Sequence, residues 1–166
     1  MIQESDEIRK AAYLDDLTGL PNRFSCDLIF QMYADPSSIK NIGCASIVIS
    51  NLVTINESVG RDSGNQVIAD FCQILEDIGK DLGFVGRNGG NEFLFIVEDC
   101  NRSKMEEFFQ SLNKRLKRYN ALDLNDKIEI YYKYVLNNEY HAERFSDLIT
   151  EVYQRLHTSP RNKQYQ

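Results

Sequence analysis

Residues 83–98 read GFVGRNGGNEFLFIVE, two short apolar runs on either side of Asn88-Gly89-Gly90-Asn91. Glycine and asparagine reach turn conformations closed to most side chains, so this tetrad predicts a direct chain reversal between strands over 82–87 and 93–98. Both glycines are placed at the tip of the hairpin. The flanking runs are apolar almost throughout, which predicts strands inside a sheet that is covered on its faces.

Outward from the hairpin, apolar residues recur at helical spacing in three places. Over 62–79 the stripe is Val67, Ile68, Phe71, Cys72, Leu75 and Ile78; over 103–119 it is Met105, Phe108, Phe109, Leu112 and Leu116. The third runs over 145–156 and comprises Phe145, Leu148, Ile149, Val152, Tyr153 and Leu156. A further helix is read near 20–34. Residues 43–50 form a buried strand, and 127–136 alternate Ile128, Ile130, Tyr132 and Tyr134 with Glu129, Tyr131 and Lys133 as a half-exposed strand. The order of elements predicts an α/β (α+β) fold, helices packed on a mostly antiparallel sheet.

The chain has 166 residues, 42% of them hydrophobic, as one domain with one core requires. A net charge of -6 with dispersed Lys and Arg argues against nucleic-acid binding and against membrane contact. Cys26, Cys44, Cys72 and Cys100 form no CxxC pair and sit in or beside apolar stretches, the pattern of reduced, buried thiols. His141 and His157 lack neighbours at zinc-ligand spacing. The start of the chain is polar and no apolar run is long enough to span a bilayer, so a cytoplasmic location is expected. Residues 1–14 read as a charged helical lead-in from an upstream domain, 15–160 as the domain, and 161–166 as a tail toward a downstream one.

Two motifs in this order, DDLTGLPNR at Asp15 to Arg23 and GRNGGNEF at Gly86 to Phe93, resemble the GGDEF domain of bacterial diguanylate cyclases. Residues 51–66, NLVTINESVGRDSGNQ, and the pair Arg161-Asn162 resemble further family segments in order and spacing. The resemblance implies a fold related to nucleotidyl cyclase and polymerase palms. It also implies that, in active members, two domains each bring one GTP to a shared interface to make cyclic di-GMP.

That chemistry needs hard carboxylate ligands for divalent ions near the signature hairpin Gly89, Gly90, Asn91, Glu92, Phe93. Family spacing places Val48 and Asn91 where two acidic ligands stand, and leaves Glu92 as a weak metal candidate, with a solvated hairpin residue as its other reading. Of the two guanine-reading positions, Asn56 matches the family asparagine and Asn65 replaces an aspartate. Local caps or turn hydrogen bonds are the competing reading for both. Val53 and His157 fall on family lysines that contact phosphate, and Arg161 remains as a phosphate contact. Lys80 and Gly83 replace the arginine and aspartate of the family's RxxD product-inhibition motif, so no inhibitory site is expected. The tyrosines of the last strand read as packing and edge protection rather than as a stacking platform.

The expected function is therefore a degenerate, catalytically inactive GGDEF domain that regulates or scaffolds a larger protein. Alternatives are a weakly active diguanylate cyclase and a protein-interaction module without nucleotide binding. No cofactor is required, with Mg2+ expected only if GTP binds. Expected partners are GTP, a phosphodiesterase (EAL) or sensor domain in the same chain, and a second copy in a homodimer.

Overall fold

The computed structural model describes residues 13–33, 35–123 and 126–158. The proposed lead-in, apart from Tyr13 and Leu14, and the tail with Arg161 lie outside them. Four antiparallel strands, β1 (Gly43–Ile49), β2 (Phe84–Gly89), β3 (Glu92–Val97) and β4 (Ile130–Leu136), form a sheet in the order β2-β3-β1-β4. The described helices are α1 (Arg23–Met32), α2 (Leu52–Ser58), α3 (Arg61–Gly79), α4 (Arg102–Leu122), α5 (Asn137–Tyr140) and α6 (Phe145–Thr158). A 3-10 turn, Pro36–Ile39, precedes β1.

All seven residues of β1 are buried because both sheet faces are covered. Its odd-numbered side chains, Ala45, Ile47 and Ile49, share a core with Phe71 and Leu75 of α3 and Phe108 and Leu112 of α4. On the opposite face Cys44 packs with Cys26 of α1 and Leu148 and Val152 of α6. The period of two along the strand thus feeds two helical layers. All four cysteines are free and buried, and burial pushes the Cys26 and Cys72 thiols up to about 12.

The fold expected from the sequence is the fold found, and the departures have local causes. Gly89 belongs to β2 and pairs with Glu92, so the reversal is made by Gly90 and Asn91, with an irregularity between Arg87 and Gly89. β2 begins at Phe84 because the Leu82 and Gly83 N–H groups are taken by the Gly79 carbonyl in the turn that ends α3. Residues 52–58, where the sequence reading places no element, are helical. Seven residues with Val53, Thr54 and Ile55 among them offer neither a full apolar period nor strong helix propensity, and α2 is stabilised by burying Leu52 and Ile55. In β4 both faces are covered: Tyr132 stacks on Phe109 at 3.8 Å between ring centres, while Tyr131 is buried on the other side. Packing is thus the role of these rings, and the strand is less exposed than its polar alternation predicts.

Candidate functional site

The turn Asp15 to Leu20 and the β2-β3 hairpin are 72 residues apart in sequence where Arg87 and Asp15 join them. The Asp15 carboxylate accepts from the Thr18 N–H and hydroxyl at 3.0 and 2.8 Å, while its own N–H and C=O bond Leu20 and Gly19. Gly19 closes the turn with φ +74°. Asn22 then caps α1, its side-chain oxygen accepting from the Ser25 N–H at 3.0 Å.

From β2, the Arg87 guanidinium donates through Nη1 to both Asp15 oxygens at 2.9 and 3.0 Å, and through Nε and Nη2 to the Gly90 carbonyl at 3.1 and 2.7 Å. The Arg87 N–H donates to the Pro21 carbonyl. One side chain therefore fixes the hairpin tip to the opening turn. Partial burial works against the Asp15 charge, but hydrogen bonds from Thr18 and Arg87 and the guanidinium's field outweigh it and hold the carboxyl below its ordinary value.

Across the hairpin end of the sheet, Glu92 of β3, Val48 of β1 and Tyr131 of β4 stand directly opposite one another in one row. Val48 and Tyr131 form a buried cluster with Leu156 from the last turn of α6. The next residue of that turn, His157, places Nε2 at 3.4 Å from a Glu92 carboxylate oxygen and packs on the Tyr153 ring. Lys133 lies with its ammonium 5.8 Å from the centre of the Tyr131 ring.

Asn91 donates its amide to the Ile49 carbonyl at 3.0 Å, and Ile49 N–H donates back to the Asn91 carbonyl, so this side chain ties the hairpin to β1. A Cβ at Gly89 or Gly90 would meet nothing within 4 Å, which leaves the space over the tip open. Asn56 ends near the N-terminal turn of α3, reached through an elbow at Gly60 with φ +118°. Its Oδ1 lies where a Cβ at position 64 would sit, so a side chain there would displace the Asn56 amide. Asn56 and Asn65 are both half-buried, and Val53 is 63% exposed on the same short helix as Asn56.

A family model described as "Diguanylate cyclase, GGDEF domain" matches residues 12–166. The chain belongs to the GGDEF family. Among curated relatives, a diguanylate cyclase of Vibrio cholerae is 24% identical over 98% of this chain and 51% of its own length. The cyclic di-GMP phosphodiesterase NbdA of Pseudomonas aeruginosa is 27% identical over 70% of the chain and 15% of its own length. The chain thus spans about half, or far less, of the curated relatives it matches. The solved GGDEF domain of DgcB from Caulobacter crescentus, in complex with c-di-GMP, superposes with a TM-score of 0.75 at 19% identity over 91% of each chain. The S helix-GGDEF-EAL portion of Vibrio cholerae LapD, bound to c-di-GMP, gives 0.78 at 18% identity over 98% of this chain and 38% of that one.

Within this GGDEF domain the positions singled out from the sequence fall into two places. Val48, Asn91 and Glu92 lie together at the hairpin end of the sheet, and Asn56 and Asn65 lie on the two helices that flank the α2-α3 elbow. The donor set at the first does not fit a divalent ion: Val48 is apolar, Asn91 gives its amide to backbone, and Glu92 faces His157. No group of three or more His, Cys, Asp or Glu side chains among the described residues is arranged to hold a metal. Nor is any described helix long and apolar enough to cross a membrane.

Sequence reading missed the Arg87–Asp15 clamp, although both residues lie inside the quoted motifs and carry opposite charges. It also missed Tyr131, which the strand alternation groups with Glu129 and Lys133, and Leu156, whose only signal was apolar periodicity. The product-inhibition position has a structural barrier as well as changed residues. Gly83→Ala is expected to lower the unfolding midpoint by several degrees in a thermal melt, since its Cβ meets the Ile96 backbone, which cannot rotate away. A melt equal to that of the parent chain would remove the barrier.

Proposed function

We propose that this GGDEF domain acts in cyclic di-GMP signalling as a non-catalytic module that regulates or scaffolds a larger protein. The observation that carries the reading is the buried Val48–Tyr131–Leu156 cluster at the place where the family resemblance puts a carboxylate ligand. Nucleotidyl transfer of the two-metal kind needs charge that neutralises a triphosphate and activates a hydroxyl. An apolar cluster cannot supply it, and the one carboxylate beside it is turned to His157.

The hairpin itself is kept in order by Arg87 and Asn91 without serving chemistry. Such a domain acts on its neighbours only if a ligand or partner prefers one of two conformational states. An adjoining EAL or sensor domain fits that role, as does GTP held by Asn56 and Asn65 without a resident Mg2+. Incubating the purified chain with millimolar GTP and Mg2+, or Mn2+, and resolving the nucleotides by chromatography is expected to give no cyclic di-GMP. Its accumulation with time and enzyme concentration would establish the weakly active cyclase instead.

Exposed Val53 and Val59, 63% and 58% accessible, flank the elbow and favour a second reading, in which this face docks a protein partner.

A further inference from the structure

Both faces of β4 are covered, but one of its edges is not. β4 ends the sheet order β2-β3-β1-β4, so it meets another strand on one side only. The Ser50 N–H donates to the Glu129 carbonyl and the Asn137 N–H to the Ile42 carbonyl, at the two ends of an unbroken register. Bonded pairs alternate along an antiparallel ladder, so the odd-numbered residues of β4 bond β1, and Ile130, Tyr132 and Tyr134 turn their N–H and C=O outward. Ile128 has the same parity, and there the outward groups are occupied. The Asn120 amide of α4 accepts from its N–H at 2.8 Å and donates to its carbonyl at 3.0 Å. α4 supplies this strand-like partner once. Among the described residues, no hydrogen bond takes the outward groups of Ile130, Tyr132 or Tyr134.

An edge of this kind pairs with another extended chain unless something deters it. It contains no proline and no bulge. Its one charged residue is Lys133, whose ammonium stays over the ring of its own neighbour Tyr131. Beside the edge, Leu116 and Lys117 of α4 border a groove of about 570 Å³ with Ile128 and Ile130, which gives alternate side chains of an added strand a place to lie. The surroundings are basic in an acidic chain: α4 carries six basic residues and two acidic ones, against a net charge of -6 overall. Lys114, Lys117 and Arg118 are exposed on α4, and Lys127 is exposed just before β4. Of the nearby carboxylates, Glu129 lines the groove, while Glu106 and Glu139 both pair with Arg102.

Charge decides between occupants. A second copy paired edge to edge would be related by a twofold axis normal to the sheet, which sets α4 beside α4 on one face and opposes like charges. Residues 159–166 offer Arg161 and Lys163 and no carboxylate. Lysines along an edge deter basic strands of either origin and attract an acidic one. We propose that the β4 edge accepts, as a further strand, an extended acidic segment of a partner protein. Main-chain bonds to Ile130, Tyr132 and Tyr134 hold the segment, and its carboxylates are selected by Lys117 on one face of the sheet and Lys133 on the other. The surface is separate from the hairpin end, so cyclic di-GMP synthesis would leave it standing, and its failure would leave the non-catalytic reading standing.

Hydrogen exchange of the 15N-labelled chain tests this, with the synthetic peptides EVEVEVE and KVKVKVK as probes. In the chain alone, the Ile130, Tyr132 and Tyr134 amides are expected to exchange about tenfold faster than those of Tyr131, Lys133 and Val135, or faster still. EVEVEVE is expected to slow the same three amides by about tenfold at saturation and to leave the odd-numbered ones unchanged. KVKVKVK should bind about tenfold more weakly. Lys117→Glu, a change at an exposed position, should weaken EVEVEVE by about threefold, and raising the salt to about 0.5 M should weaken it in the parent chain. Protection of the three amides in the chain alone would overturn the inference. It would mean an edge taken by the chain's own residues if it is independent of protein concentration, and by a second copy if it grows with concentration. Equal affinity for the two peptides, or no protection by EVEVEVE at millimolar concentration, would overturn it as well.

Discussion

Val48→Asp is expected to lower the unfolding free energy at pH 7 by about 3 kcal/mol and to bring no cyclic di-GMP synthesis. The new carboxylate would stand in the apolar cluster of Tyr131 and Leu156, directly opposite Glu92 on the neighbouring strand. Desolvation and the like charge both favour its protonated form. Its folded pKa would thus be raised above the unfolded value, so the folded state holds the proton more tightly and the penalty grows as pH rises through the ordinary carboxylate range. Denaturant unfolding at pH 4 and pH 7 checks this: the variant should be closer to the parent chain at pH 4. A Val48→Asp, Asn91→Asp double variant places three carboxylates around one point and releases the Asn91–Ile49 bond, so it should be less stable still. If either variant proved as stable as the parent at pH 7, or made cyclic di-GMP with Mg2+, the site would be a dormant metal centre rather than a replaced one.

How much of this was legible before the structure depended on the range over which each signal acts. The long helices announce themselves through apolar periodicity, and α3, α4 and α6 lie within a few residues of their expected bounds. The hairpin was equally local, although its reversal falls on Gly90 and Asn91 rather than on both glycines. α2 was hidden because its stability comes from two side chains buried against distant elements, not from its own seven residues. In the site, family spacing located Val48, Asn91 and Glu92, but their surroundings come from positions on β4 and α6 that no local pattern ties to them. Leu156 reads as one more member of a helical stripe, and His157 as a substituted lysine. That the first seals Val48 and the second faces Glu92 follows only from how α6 crosses the sheet. The unpaired side-chain oxygen of Asn56 was equally hidden, since asparagine near helix ends ordinarily caps them.

Arg87→Ala is expected to be the more damaging single change in the other motif, lowering stability by about 2 kcal/mol at neutral pH. Its side chain is 15% exposed and Asp15 21%, so the pair is screened less than a surface ion pair, though not removed from water. Truncation takes the guanidinium donors from the Gly90 carbonyl and leaves the Asp15 carboxylate with those of Thr18 alone, and the tip of the hairpin loses its fastening to the opening turn. The pH dependence separates this account from a simple loss of packing. Because the folded Asp15 pKa is held below its ordinary value, the pair contributes stability that is full above the unfolded pKa and is lost as pH falls through the folded one. The parent chain should therefore lose stability on going from about pH 5 to pH 2 more steeply than Arg87→Ala, and the two curves should converge at the acid end. Arg87→Lys keeps the charge but not the fork that reaches Asp15 and Gly90 together, so it should recover only part of the difference. Parallel curves for Arg87→Ala and the parent chain would mean that Arg87 acts through its bulk alone, and the link between the two motifs would then be steric rather than electrostatic.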